Sequence, residues 1–75
     1  MHYTHVDLEI LNRNIAEREE RIGSLQRLIS HVRRKGRSTA AAEQLLDTMS
    51  AAQRLSIAHR DTIAGLLVRR TKSRT

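Results

Sequence analysis

Four histidines are the side chains in this sequence best suited to chemistry at neutral pH, because imidazole can bind metals and exchange protons there. His2 and His5 stand near the amino end, and two ligands without a third make a poor metal site. The chain has no cysteine, which excludes a thiolate zinc site and a disulfide framework. No nucleophile–base arrangement, paired carboxylates or glycine-rich phosphate loop stands out. We therefore predict a protein that is not an enzyme, with no catalytic residues, metal or cofactor.

The other two histidines lie on predicted helices. The placement of His31 just before a basic turn resembles the layout of histidine phosphotransfer proteins. However, the Lys and Gly after His31 come one residue later than in that family, and 75 residues are too few for a whole phosphotransfer domain. Its role stays open. His59 falls on the predicted packing seam near Arg18, where we expect a half-buried, hydrogen-bonded structural histidine.

About half of the residues are Ala, Glu, Lys, Leu or Arg, a composition typical of long helices and coiled coils. No apolar run approaches the roughly 18 residues that a membrane span needs, and the amino end lacks the layout of a signal peptide. We expect one small, soluble, cytoplasmic, all-α domain over residues 1–75. A chain of 8.6 kDa without Trp or Phe has little to bury, so self-association is expected.

Capping residues divide the chain into two helices. Thr4 and Asp7 fit a capping box at the start of a helix over about residues 5–34. Cations followed by Gly36 are typical of a helix end, so a turn is expected at about residues 35–38. Ser38 or Thr39 can cap a second helix over about residues 39–70. Residues 71–75 would form a basic tail.

Both helices carry apolar residues alternately three and four apart, the spacing of a coiled-coil seam. A turn at Gly36 makes the helices antiparallel and pairs residues whose numbers sum to about 74. Arg18 then meets Ser56 in the middle of the seam. The pattern predicts an antiparallel two-helix hairpin. The first seam is Leu8, Leu11, Ile15, Arg18, Ile22, Leu25, Ile29 and Val32, and the second is Ala42, Leu45, Met49, Ala52, Ser56, His59, Ile63 and Leu66.

A set of short motifs over about residues 12–63 resembles a family of small uncharacterised bacterial helical-hairpin proteins. The resemblance implies the hairpin fold. It implies no site, because the family has no established activity. The turn departs from the family pattern, which has an acidic residue near Arg37 and a less basic run before Gly36. The matching residues are Asn14 to Glu17, Arg21-Ile22, Leu28-Ile29, Gly36, Thr39, Ala42, Leu45-Leu46 and His59 to Asp61.

Further apolar residues on the second helix fall outside this predicted seam. A lone hairpin would leave them in water, whereas a pair of hairpins packed as a four-helix bundle would bury them. We therefore predict a homodimer. The candidate interface consists of Leu46, Leu55, Ile57, Ala64 and Leu67.

The positive charge is concentrated at the two ends of the predicted hairpin. Residues 5–32 and 38–68 each have a net charge of −1, whereas residues 33–37 and 69–75 each carry four cations. We call these clusters the basic turn and the basic tail. Each is a candidate contact for an acidic partner or for phosphate. The basic turn comprises Arg33, Arg34, Lys35 and Arg37, and the basic tail comprises Arg69, Arg70, Lys72 and Arg74.

Two functions fit this distribution. The first is a protein-interaction module, a homo-oligomeric hairpin whose basic ends bind an acidic protein. The alternative is a small nucleic-acid-associated protein that contacts phosphates through the same ends. Nucleic acid is the less favoured partner, because the chain has only Tyr3 as an aromatic residue for base stacking and lacks the spacing of a helix-turn-helix. A membrane-surface role is not expected, because the cations do not line one helical face.

Overall fold

The computed structural model of the chain describes residues 3–72, with side chains for residues 3–70. Within that range the protein is an antiparallel hairpin of two α-helices, α1 (His5–Arg34) and α2 (Ala40–Lys72). The pair forms a rod with extents of 62 × 16 × 15 Å. The predicted all-α hairpin is confirmed. The four-helix bundle stays a prediction.

A capping box begins α1, as predicted. The Thr4 hydroxyl oxygen accepts a hydrogen bond from the Asp7 backbone N–H at 3.2 Å. The Asp7 carboxylate accepts one from the Thr4 backbone N–H at 2.8 Å. Two amide donors that the helix cannot satisfy internally thus gain partners, and the carboxylate also lies at the positive end of the helix dipole.

Gly36 closes α1 with a Schellman motif. Its backbone N–H donates to the Arg33 carbonyl at 3.0 Å, and the Arg37 N–H donates to the Val32 carbonyl at 3.3 Å. The motif requires a left-handed residue, and Gly36 has a φ of 72°. Because glycine has no Cβ, it adopts this conformation without the steric penalty of other residues.

A short link after Gly36 leads into α2, which starts one residue later than expected. The Glu43 N–H donates to the Thr39 carbonyl at 2.8 Å, which forms the first turn of the helix. The Thr39 hydroxyl donates to the Glu43 carboxylate at 3.2 Å. Glu43 also forms an ion pair with Arg33, which ties the start of α2 to the end of α1.

The seam of α1 is the predicted one. Ile15, Ile22 and Ile29 are buried, and the other five seam residues are half-buried. The predicted pairing is confirmed at mid-rod, where the Arg18 guanidinium donates to the Ser56 hydroxyl at 2.8 Å.

Half of the predicted α2 seam is wrong by one residue. Leu45, Ala52, His59 and Leu66 were expected inside, yet three of them are exposed and Ala52 is only half-buried. In the structure the seam contains the next residue along the chain in each case, namely Leu46, Gln53, Arg60 and Leu67. Because leucine doublets occur at both ends of α2, an alternation of three and four fits either alignment. The observed seam is Ala42, Leu46, Met49, Gln53, Ser56, Arg60, Ile63 and Leu67.

Replacing Gly36 by Ala should lower the free energy of unfolding by about 1 kcal/mol, because alanine is strained at positive φ. The matched control is Gly65→Ala. Gly65 lies inside α2 with open space around the added methyl group, so this change should raise the free energy of unfolding by about 0.5–1 kcal/mol. Urea unfolding at one fixed protein concentration measures both. Shifts of the same sign would contradict the turn geometry.

Candidate functional site

The basic turn is only partly neutralised by the fold. Arg33 pairs with Glu43. Arg34, Lys35 and Arg37 are exposed, and no hydrogen bond or ion pair to another described residue engages their side chains. Three positive charges therefore face solvent at one tip of the rod.

The basic tail lies at the opposite tip. Arg69 and Arg70 are exposed, and the Arg70 guanidinium donates to the Tyr3 backbone carbonyl at 3.4 Å. Lys72 is the last residue of α2. Arg74 lies outside the described residues.

Two of the five predicted interface residues, Leu46 and Leu67, lie in the observed α2 seam instead of outside it. Leu67 is only 6% exposed, and Leu46, Ile57 and Ala64 are half-buried. Leu46 and Leu67 lie in the seam because it is displaced by one residue from the prediction, whereas Ile57 and Ala64 each follow a seam residue and flank the seam. These four residues are therefore not available as a separate exposed stripe. Leu55, at 73% exposed, is the predicted interface residue that remains on the surface.

The exposed apolar residues instead lie largely on one side of the rod. This side carries the residues that immediately precede seam residues on both helices, such as Leu28 before Ile29 and Leu45 before Leu46. In an antiparallel pair these flanking positions lie beside each other. Five of the seven large apolar side chains that are exposed among the described residues are here. We call this side the apolar face, defined by Ile10, Leu28, Leu45, Leu55 and Leu66.

The other side of the rod carries most of the charges. The ion pair between Arg33 and Glu43 lies on this charged side, because both residues flank their seams on the side away from the apolar face. Between the tips, the apolar face has only three charged residues, Asp7, Glu17 and Arg21. The charged side, in contrast, carries Glu9, Arg13, Glu19, Glu20, Arg27, Arg33, Arg34, Glu43, Asp47, Arg54 and Asp61.

A shallow groove of about 360 Å³ opens on the apolar face near the amino end of α1. Tyr3 and His59 form part of its wall. Their rings meet edge to face with centroids 5.7 Å apart, and the Tyr3 hydroxyl lies 3.4 Å from Nε2 of His59. His59 is thus exposed and partnered by Tyr3, so its expected place in the seam beside Arg18 is wrong. The remaining lining residues are Asp7, Ile10, Leu11, Asn14 and Ile63.

A polar layer interrupts the seam at mid-rod, and its central residue is Gln53. The side chain is 4% exposed. Its amide nitrogen donates to the Ile15 backbone carbonyl at 2.7 Å and to the Glu19 carboxylate at 3.1 Å. Its amide oxygen accepts from Arg18 at 3.2 Å. Both ends of a buried amide are therefore satisfied, as burial of a polar group requires.

Sequence reasoning identified Arg18 and Ser56 in this layer but missed Gln53. The available signal was spacing, since Gln53 follows Met49 by four residues and precedes Ser56 by three. The predicted seam placed Ala52 at this position instead.

The histidines gain no catalytic or metal-binding partners within the described part of the chain. His31 and His5 are exposed, and His2 lies outside that part. Over residues 3–72 the structure contains no cluster of three or more His, Asp or Glu side chains that could hold a metal ion. In the same range, neither helix is long and apolar enough to cross a bilayer.

Comparison of the chain with protein-family models, with curated protein sequences and with solved structures finds no match. The resemblance to bacterial hairpin proteins therefore stays a prediction.

A double-mutant cycle tests the polar layer. Arg18→Leu or Gln53→Leu alone should lower the free energy of unfolding by about 1–3 kcal/mol, because each leaves the other polar group short of a partner. The double variant should lose less than the sum, with a coupling of about 1 kcal/mol or more. Thermal and urea unfolding measure all four proteins.

The control for that cycle pairs Gln53→Leu with Arg27→Leu, because among the described residues Arg27 bonds only to Ser24, on the outside of α1. These two changes should be additive within about 0.5 kcal/mol. Equal coupling in both cycles would mean that Arg18 and Gln53 do not act as a unit.

Proposed function

We propose that this protein is a non-enzymatic interaction module, a self-associating helical hairpin whose basic ends bind an acidic protein. The observation that carries the proposal is the basic turn, where Arg34, Lys35 and Arg37 face solvent without a partner among the described residues. The fold places them at the tip of a rod 62 Å long, well away from most of its carboxylates. The proposal includes a cytoplasmic location, which suits a chain without cysteine.

Self-association is supported by the surface that one copy leaves in water. A compact monomer of this mass exposes about 4,700 Å². This chain exposes 6038 Å². Two copies that each cover the excess of roughly 1,300 Å² would bury roughly 2,600 Å² in total, an area typical of obligate homodimers.

An acidic protein fits the basic ends better than nucleic acid does. Proteins that bind single strands without sequence preference stack the bases on aromatic rings. Tyr3 is the one aromatic residue of the Phe, Trp and Tyr class in this sequence, and its ring already packs on His59. Carboxylates, in contrast, need only the exposed cations. Phosphate binding remains the alternative, because arginine outnumbers lysine and its guanidinium can bind phosphate with two hydrogen bonds.

Sedimentation equilibrium at micromolar concentration should give about twice the chain mass of 8.6 kDa. The physical reason is the large exposed area of a single hairpin. A dilution series would establish the dissociation constant. A folded protein that sediments at the chain mass throughout the series would contradict the self-association.

The basic turn should determine binding to acidic chains. Removing three cations with Arg34→Ser, Lys35→Ser and Arg37→Ser should weaken binding of a glutamate-rich peptide by about tenfold, as expected for three exposed charge contacts. The control removes the same charge from the middle of the rod with Arg13→Ser, Arg27→Ser and Arg54→Ser, and should bind almost as the unmodified protein does. Fluorescence anisotropy at several salt concentrations measures both.

The same titration with a duplex DNA and a single-stranded RNA of random sequence separates the two functions. Tight, salt-dependent binding to either nucleic acid, with none to the peptide, would favour the alternative. Equal losses in the turn and rod variants would show that net charge, and not the basic turn, controls binding.

A further inference from the structure

The exposed apolar residues of the apolar face are arranged symmetrically along the rod, and a single copy of the chain leaves them in water. Ile10 and Leu66 lie toward the basic tail, Leu28 and Leu45 lie toward the basic turn, and Leu55 lies between them. Leu55 is ten residues from Leu45 and eleven from Leu66, so the two outer groups are nearly equidistant from it along α2. A 180° rotation about an axis perpendicular to the rod at Leu55 therefore places each outer group on the position of the other.

We propose that a second copy of this chain docks on the apolar face in the antiparallel orientation, with a two-fold axis near Leu55. This inference rests on the proposed self-association and specifies its surface and direction. A two-fold axis across the rods sets α1 against the partner's α1 and α2 against the partner's α2. The group at one end of each copy then covers the group at the other end of its partner.

The spacings on the two helices agree with one such axis. On α1, Ile10 meets the partner's Leu28, residues whose numbers sum to 38. On α2, Leu45 meets the partner's Leu66 with a sum of 111, and Leu55 meets its own copy with a sum of 110. All five exposed side chains of the apolar face are thereby covered by apolar neighbours, which removes their area from water.

The charges on the apolar face distinguish the antiparallel orientation from the parallel one. Glu17 and Arg21 lie on the same stripe of α1 as Ile10 and Leu28, and their numbers also sum to 38. In the antiparallel dimer each Glu17 therefore faces the partner's Arg21, and the pair occurs twice. A parallel dimer would set α1 against the partner's α2 and bring Glu17 near Leu55. The carboxylate would then be desolvated without a partner, which is unfavourable.

The groove near the amino end of α1 adds a shape argument. It opens beside Ile10, between Tyr3 and His59. The proposed axis places the partner's Leu28 over it. Leu28 is 52% exposed in the single hairpin, so its side chain is free to enter. The exposed apolar residue and the recess thus meet in both halves of the dimer.

The face is tested by sedimentation of two variants that each add one negative charge to an exposed apolar position of α2. Leu55→Glu lies at the proposed axis and should give monomers. Val68→Glu, on the opposite side of the rod, should leave the dimer intact. Circular dichroism should show unchanged helix content in both, because both side chains are mostly exposed in a single hairpin. Dissociation of both variants, or of neither, would overturn the choice of face.

The orientation of the two copies is tested by disulfide cross-linking. The chain has no cysteine of its own, so only the introduced cysteines can form a disulfide. An equal mixture of Ile10→Cys and Leu28→Cys proteins should give a cross-linked heterodimer on mild oxidation, since a disulfide requires Cα atoms within about 7 Å. Leu28→Cys alone should not cross-link, because its two copies would be about 27 Å apart along the rods.

Failure of this inference and failure of the proposed function have different signatures. A wild type that sediments as a monomer would overturn the self-association itself. A wild-type dimer that resists Leu55→Glu would overturn only the face. Cross-linking of an equal mixture of Leu28→Cys and Leu45→Cys proteins, without the Ile10→Cys and Leu28→Cys product, would overturn only the antiparallel orientation.

Discussion

Two packed helices have room for only one line of contacts between them, and this geometric limit governs the rest of the structure. Each helix can bury one seam against the other, so most seam residues of α1 are half-buried, and only Ile15, Ile22 and Ile29 are buried, at 8%, 7% and 5% exposed. The hairpin is consequently long and narrow, and it exposes more surface than a compact chain of its mass. Further burial requires another molecule.

The same limit explains why a polar layer is tolerated at the centre. In a wide core, Gln53 would be far from water and from most hydrogen-bond partners. In a two-helix rod it reaches the Ile15 carbonyl and Glu19 on one helix face, and the partly exposed Arg18 on its edge. These bonds form together only when the helices are aligned in the observed register. We therefore expect the layer to favour this register, as polar residues in coiled-coil seams commonly do.

The surface that remains is divided in a way that suits two kinds of contact. Apolar side chains gather on one side, charges on the other, and unpaired cations at the basic turn. In the antiparallel dimer the basic turn of each copy would lie beside the basic tail of its partner, so the cations of both copies would gather at the two ends of the assembly. The proposed self-association and the proposed binding of an acidic partner use different surfaces, the apolar face and the basic ends.

Local chemistry in the sequence determined the two helices, their ends and the α1 seam. Thr4 with Asp7, and Gly36 at positive φ, act through neighbours a few residues away, so their effects could be predicted from the chain alone. The concentration of cations at the two ends follows from the same information.

Only the tertiary structure decided the alignment of α2. Leu45-Leu46 and Leu66-Leu67 fit two seams equally well, and in the observed alignment the buried Gln53 satisfies its amide against α1. That depends on atoms more than thirty residues away in the chain, including the Ile15 carbonyl. The alignment of the α2 seam also determines which residues form the apolar face. Leu67 lies in the core and Leu66 on the surface, the reverse of the predicted alignment. The reason is that a shift of one residue rotates every side chain of a helix by about 100°.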